Sequence, residues 1–181
     1  MDPKSFLRQL SAEELTTVQN THWLADPIRV DSLSEEGALN LLIPPAAQVD
    51  LNRDGITQSG IANGIRFPDS TTSFDVVQAW DKVTDGMPIA ERMTYELEMK
   101  LPVLLANIEF DSNRRVVSIR EPGDPQFVNP MDDADYSYVD VTRRWIDHLN
   151  HFKNQIDPDR YAKGIEFWQK FQQALLASGA R

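Results

Sequence analysis

The stretch from Asp50 to Gly55 combines the side chains and the spacing that a hard cation requires. Oxygen-bearing side chains stand at alternate positions, Asp50, Asn52 and Asp54, and Gly55 follows them. As such a loop curls, its alternate side chains turn toward a common centre, and the glycine permits the sharp turn that closes it. Calcium accepts oxygen ligands in flexible geometry. We therefore expect Asp50, Asn52 and Asp54, with the backbone carbonyl of Ile56, to bind calcium.

On these residues the segment 50–61 resembles the calcium loop of the EF-hand family. The resemblance implies that Gln58 acts through water and that the last loop position carries a bidentate glutamate, but Ile61 stands there. Thr57 replaces the apolar residue that usually pairs two loops, the outgoing segment looks extended, and Pro44-Pro45 separates the incoming helix. No second DxNxDG occurs, although EF-hands usually come in pairs. The resemblance therefore implies a single weak site, with a dissociation constant of roughly 0.1–1 mM.

A remote carboxylate or water would have to replace the missing glutamate. The candidate acids are Glu35, Glu36, Asp69, Asp75 and the Asp132-Asp133-Asp135 cluster. The alternative interpretation of the same residues is a metal-free turn, in which Asp and Asn side chains accept hydrogen bonds from their own backbone.

Other residues give weaker indications of chemistry. His148 and His151 share one side of a predicted helix but lack a third zinc ligand, and His22 is typical of a half-buried, hydrogen-bonded residue. Glu35-Glu36 and Glu96/Glu98 are most simply helix-cap and solvated-face residues. No nucleophile-elbow, HExxH, phosphate-loop or dinucleotide motif is present, so the sequence favours a non-enzymatic protein. A hydrolase assembled from dispersed acids and histidines remains a third hypothesis.

Composition limits the classes of partner and of binding site that the chain can have. The 181-residue chain carries a net charge of −10, which argues against nucleic acid and against an anionic membrane surface. The absence of cysteine excludes disulfides and thiolate zinc sites. No run is apolar enough for a membrane span, and Met1 to Leu10 lacks the apolar region of a signal peptide. We expect a cytoplasmic protein, with a periplasmic or secreted protein lacking its signal peptide as the alternative.

The pattern of apolar residues predicts a mainly α fold, with about six helices around one core in a single domain over residues 1–181. Ser11 and Glu14 form a capping box, and further helices are expected near 34–42, 76–83, 88–108, 138–152 and 158–175. Residues 108–119 predict a β-hairpin. The Pro- and Asp-rich segment 121–137 has no period, but its apolar residues predict that it is ordered.

Two helices carry specific expectations. In the fourth, residues 90, 93, 97, 101, 104 and 108 form an apolar stripe that predicts the buried face, and Pro102 predicts a kink or an early end. In the last helix, Gly164 interrupts an apolar face, which indicates close approach of another helix. The aromatic residues of the last two helices indicate burial between two layers of core. Less often they mark a surface for a protein partner or a homodimer. A metal-free interaction module built on these helices is therefore the alternative function.

Overall fold

The computed structural model describes residues 2–180, and there the chain forms seven α-helices and two β-hairpins. The helices are α1 (Pro3–Leu7), α2 (Ala12–Thr21), α3 (Glu35–Asn40), α4 (Phe74–Thr84), α5 (Ile89–Ala106), α6 (Tyr138–His151) and α7 (Pro158–Ser178). The strands are β1 (Thr57–Ser59), β2 (Ala62–Gly64), β3 (Ile108–Phe110) and β4 (Val116–Ile119). The predicted mainly α fold with a small β element is confirmed.

The chain divides into two compact units. Unit 1 runs to Thr71 and resumes from Lys100 to Asn129, and unit 2 comprises Thr72–Met99 and the chain from Pro130 onward. The boundary therefore falls inside α5. The expectation of one domain over residues 1–181 stays a prediction.

Unit 1 is built from short elements, and its local signals act as expected. Ser11 and Glu14 form the predicted capping box, in which Glu14 Oε2 accepts from the Ser11 backbone N–H at 2.8 Å. Ser34 caps α3, which ends well before Pro44-Pro45. An apolar cluster of Leu7, Leu33, Ala38 and Leu41 packs α1 against α3, and the Gly60 backbone N–H donates to the Gly37 carbonyl at 3.0 Å. The β1–β2 hairpin follows directly and pairs Thr57 with Gly64.

Unit 2 packs α4 and α6 against the long helix α7. Its core is aromatic: the Trp80 ring lies edge-on to Phe171 with centroids 5.3 Å apart, and Tyr95 stacks on Phe167 at 3.6 Å. Phe167, Trp168 and Phe171 are all buried. The aromatic face of α7 therefore forms core, which is the first of the two expectations for it.

The predicted buried face of α5 is wrong. Met93 is 60% exposed and Leu97 is 45% exposed, whereas Tyr95, Met99, Lys100 and Val103 are buried. Helix α5 carries two stripes of apolar residues. The regular spacing of apolar residues favours the stripe that omits Lys100, whereas the structure buries the stripe that includes it. The early end at Pro102 is also wrong, since α5 continues to Ala106. Burial of Met99 and Val103 on either side of the proline outweighs its missing donor.

The remaining expectations concern irregular structure and membranes. Residues 108–119 form the predicted antiparallel hairpin, β3–β4. Residues 121–137 contain only a short 3₁₀ turn, Pro130–Asp132, and their predicted order stays a prediction. Among the helices of residues 2–180, none is long and apolar enough to cross a membrane.

Candidate functional site

The 50–61 loop lies in unit 1 and leads into the β1–β2 hairpin. Gly55 has φ 84°, the left-handed region that favours glycine. A Cβ added there would lie 3.0 Å from Asn129 Oδ1, so the backbone angle is the main reason for glycine and the Asn129 side chain adds to it. The predicted sharp turn at Gly55 is therefore confirmed.

Two of the predicted ligands form turns with their own backbone. Asn52 Oδ1 accepts from the Asp54 N–H at 3.0 Å, and Asp54 Oδ1 accepts from the Ile56 N–H at 2.8 Å. These are the self-bonded turns that the metal-free alternative predicts. Such bonds use one lone pair of each oxygen, and each oxygen retains a second lone pair.

The loop is also tied to a segment far away in sequence. Asp54 Oδ2 accepts from the Gly123 N–H at 3.0 Å, and Asn129 Nδ2 donates to the Arg53 carbonyl at 3.1 Å. Residues 123–129 are therefore fixed against the loop by polar contacts. Sequence reasoning did not identify this connection, because nothing local in either segment indicates the other.

Asp50 has an environment that sets it apart from the other loop residues. Its side chain is buried, with the residue only 5% exposed, and Oδ2 accepts from the Gly55 N–H at 2.8 Å. Among the described residues, Oδ1 has no hydrogen-bond partner. Burial raises the pKa of Asp50 to about 6, against the hydrogen bond from Gly55, and the charges of Asp54, Glu36 and Asp69 raise it further.

Two of the seven remote acids proposed as substitutes, Glu36 and Asp69, lie close to Asp50. Glu36 accepts from the Leu51 N–H at 2.8 Å and from the Gln58 N–H at 2.6 Å, and burial raises its pKa. The expectation that Glu36 is a solvated cap residue is wrong, because it is 4% exposed. Asp69 forms a buried ion pair with Lys100.

The other substitute acids are exposed, and neither Gln58 nor Ile61 is placed to contribute a ligand. Glu35, Asp75, Asp132, Asp133 and Asp135 all lie at the surface. Ile61 is exposed in the turn of the β1–β2 hairpin. The Gln58 side chain bonds to Ser34 and Asn63, so it turns away from the predicted centre. The extended geometry expected after the loop is present as strand β2, which begins at Ala62.

The loop provides an incomplete set of ligands for a metal ion. Within residues 2–180, no group of three or more His, Cys, Asp or Glu side chains is arranged to hold an ion. The predicted set contains only two carboxylates, at Asp50 and Asp54, with an amide and a backbone carbonyl. A hard cation here would need water for its remaining ligands. The feature that fits a cation is Asp50 Oδ1, a buried carboxylate oxygen surrounded by other acids.

The histidines hold other positions. His148 and His151 are exposed on α6, where both rings pack on Phe152. His22 is half-buried, as expected: its Nε2 bonds to the Leu41 carbonyl at 3.1 Å, and its Nδ1 lies 3.2 Å from Gln48 Nε2.

Comparison of the chain with protein-family models, with curated proteins and with solved structures gives no match.

Proposed function

We propose that unit 1 binds one hard divalent cation, best matched by calcium, and that the ion has a structural, non-enzymatic role. Asp50 and Asp54 would hold it, with the Asn52 amide oxygen, the Ile56 carbonyl and water. The observation that carries the proposal is the Asp50 Oδ1 atom, which is buried and has no partner among the described residues. An ion would satisfy that oxygen and offset the repulsion between neighbouring acids.

Charge balance supports the same proposal. Glu36, Asp50, Asp54 and Asp69 are buried in unit 1, and Lys100 is the buried base beside them. Burying a charge without a partner is costly. Since Lys100 already pairs with Asp69, the carboxylates of the loop gain most from an added cation. Hard oxygen ligands favour calcium over transition metals, and magnesium is disfavoured because it holds its own waters tightly.

The structural role follows from the loop's contacts. Asp54 holds Gly123 and Arg53 holds Asn129, so the loop anchors the 123–129 segment. An ion that fixes Asp50 and Asp54 would stabilise this anchor. We expect calcium at about 10 mM to stabilise the protein by roughly 1–3 kcal/mol, given a dissociation constant of roughly 0.1–1 mM. Magnesium at the same concentration should do less.

Thermal melts with calcium, with magnesium and with sodium chloride at matched ionic strength test the proposal. Asp50→Asn keeps an acceptor for Gly55 and removes the charge, so it should abolish the calcium response. Asp26→Asn, at an exposed acid of unit 1, removes the same charge and should leave the response intact. A wild-type melt that does not change with calcium, or an Asp50→Asn variant that responds normally, would show that the loop is only a turn.

A further inference from the structure

A cavity of about 940 Å³ opens in unit 2 between α5, α6 and α7. Each helix contributes one face, with residues spaced three or four apart. These faces carry Glu91, Tyr95 and Glu98 on α5, Trp145, His148 and Phe152 on α6, and Arg160, Gly164 and Trp168 on α7. Ligand sites of proteins commonly have this volume. The cavity shares no residue with the cation loop of unit 1.

Aromatic rings form one wall of the cavity. The Trp145 and Trp168 rings are nearly parallel, with centroids 5.6 Å apart and an interplanar angle of 6°. His148 lies edge-on to Trp145 at 5.6 Å, and Phe152 continues the wall at 4.7 Å from His148. Trp145 and Phe152 are only half-buried, so part of each ring is available to a ligand. The negative face of an aromatic ring attracts a cation.

Glu98 supplies a carboxyl group in the same cavity. Burial raises its pKa to about 7, while the charge of Arg160 and a hydrogen bond from the Trp168 side chain lower it. Burial therefore outweighs the favourable contacts that the protein itself provides. The expectation that Glu98 is a solvated-face residue is wrong, because Glu98 is half-buried, next to Met99 and one turn after Tyr95, which both belong to the core.

The charged groups around the cavity are mostly acidic. Glu91 and Glu98 face it from α5, and Asp157 and Asp159 face it from the start of α7, against the two bases Arg160 and Lys163. His148 is the titratable group on α6. This excess of acidic over basic side chains disfavours an anionic ligand and favours a cationic one.

We propose that the cavity binds a small organic cation, an amine with an apolar body, whose ammonium group pairs with Glu98 and whose body packs on Trp145 and Phe152. The aromatic wall and the carboxyl group are then used together, as in sites that recognise organic ammonium ions. The large volume leaves space for an apolar body as well as the charged group. Binding would convert Glu98 to its ionised form, so a proton is released when the ligand binds near neutral pH.

Three probes with one apolar body and different charges test the proposal. Phenethylammonium is the cation, phenethyl alcohol its neutral counterpart and hydrocinnamate the anion, each titrated calorimetrically into the full chain. We expect phenethylammonium to bind most tightly and hydrocinnamate most weakly. Equal affinity for the ammonium and the alcohol, tighter binding of hydrocinnamate, or no binding of the ammonium at millimolar concentrations would overturn the proposal.

Two variants test whether the Glu98 side chain recognises the positive charge of the ligand. Glu98→Gln keeps the shape of the side chain and should weaken phenethylammonium binding on the order of tenfold, since it removes a charged partner. Asp147→Asn, an exposed acid on α6 outside the cavity, removes the same charge and should bind as wild type does. Circular dichroism confirms that each variant is folded. Unchanged binding by folded Glu98→Gln would contradict the assignment.

The pH dependence gives a second measurement. Below pH 7 Glu98 takes up a proton, so affinity for phenethylammonium should fall, by on the order of tenfold in total, which is the loss expected for Glu98→Gln. His148 and the acids of α5 and α7 also face the cavity, so their contributions to the pH dependence must be distinguished from that of Glu98. His148→Gln should retain most of the pH dependence and Glu98→Gln should lose most of it. The opposite pattern would mean that His148, not Glu98, controls the site.

Discussion

Lys100 is fully buried in unit 1, where its ammonium group contacts Asp69 Oδ2. Asp69 Oδ1 also accepts from the backbone N–H of Thr71 at 3.0 Å and from its hydroxyl at 2.8 Å. The Lys100 side chain is therefore fully removed from water, and the Asp69 carboxylate is held by Thr71 as well as by Lys100. Removal of one partner from such a pair leaves an uncompensated buried charge.

We predict that Lys100→Met destabilises the protein by about 3–5 kcal/mol, because Asp69 loses its counter-charge in the interior. The double variant Lys100→Met/Asp69→Asn should recover part of this loss, since it removes the carboxylate charge as well. Urea unfolding of the single and double variants measures both quantities. A double variant no more stable than Lys100→Met alone would show that the charge of Asp69 is not the cause.

Lys170 provides the matched control. It pairs with Glu166 on the surface of α7 at 2.6 Å, with both side chains more than half exposed. Exposed pairs of this kind contribute little. Lys170→Met should therefore change the free energy of unfolding by less than about 1 kcal/mol. A similar loss in both lysine variants would mean that burial does not govern the effect.

At the scale of single residues, the sequence predicted what depends on neighbours in the chain. The turn at Gly55 and the alternation of Asp50, Asn52 and Asp54 are local, and the structure reproduces their geometry. The burial of Glu36, Lys100 and Glu98 was not predicted. Glu36 is held by Leu51 and Gln58, and Lys100 by Asp69, at sequence separations that no local pattern records.

Two glycines inside helices show how an element depends on what lies against it. A Cβ added at Gly37 of α3 would lie 2.1 Å from the Gly60 carbonyl oxygen, which is backbone. A Cβ added at Gly164 of α7 would lie 3.0 Å from Leu149 Cδ1, the end of a flexible side chain on α6. The predicted close approach at Gly164 is present, but it involves a side chain that can move.

We predict that alanine destabilises the protein at Gly37 but changes its stability little at Gly164. Alanine favours a helix interior by roughly 1 kcal/mol over glycine, so propensity alone stabilises both variants. Gly37→Ala should instead destabilise by about 1–3 kcal/mol or more, because the hairpin backbone must move away from α3. Gly164→Ala should lie within about 1 kcal/mol of wild type, since a shift of Leu149 offsets the gain in propensity.

Denaturant unfolding of the two alanine variants makes the comparison. Gly164→Val, which adds bulk that Leu149 cannot avoid by a small shift, should be clearly less stable than Gly164→Ala. If Gly37→Ala were as stable as wild type, the close approach of α3 to the β1–β2 hairpin would be wrong.

The elements themselves were predictable where a signal has a single interpretation. The capping box at Ser11 and the Asp157 side chain before Pro158 define where α2 and α7 begin, because each accepts hydrogen bonds from backbone N–H groups at a helix start. The buried face of α5 was not predictable in this way. Its sequence offers two apolar stripes, and the stripe that is buried includes Lys100, whose burial depends on the distant Asp69.

Across the whole molecule, acids with raised pKa values occur in both units. Glu36 and Asp50 lie in unit 1 and Glu98 in unit 2, and burial is the largest cause in each case. A carboxyl group with a higher pKa in the folded than in the unfolded chain holds its proton longer when folded. The stabilisation that this retained proton provides is complete at low pH, and it is lost as pH rises through the pKa of the folded state. Exposed acids such as Glu14 and Glu109 have lowered pKa values. They therefore increase stability as pH rises, and they do so at more acidic pH.

We predict that the protein loses stability between about pH 4 and pH 7, since Asp50 and Glu98 ionise near pH 4 in the unfolded chain but only near pH 6 and pH 7 in the folded one. The shift at Asp50 corresponds to on the order of 2–3 kcal/mol, because each pKa unit is worth about 1.4 kcal/mol. Urea unfolding at several pH values measures the slope. Asp50→Asn should flatten the part up to pH 6 and Glu98→Gln the part up to pH 7, whereas Asp26→Asn and Asp147→Asn should keep the wild-type slope. Calcium should reduce the loss in wild type but not in Asp50→Asn, since only an ionised Asp50 binds the ion. Stability that is flat or rises across this range in the wild type would mean that these carboxyl groups are hydrated in solution.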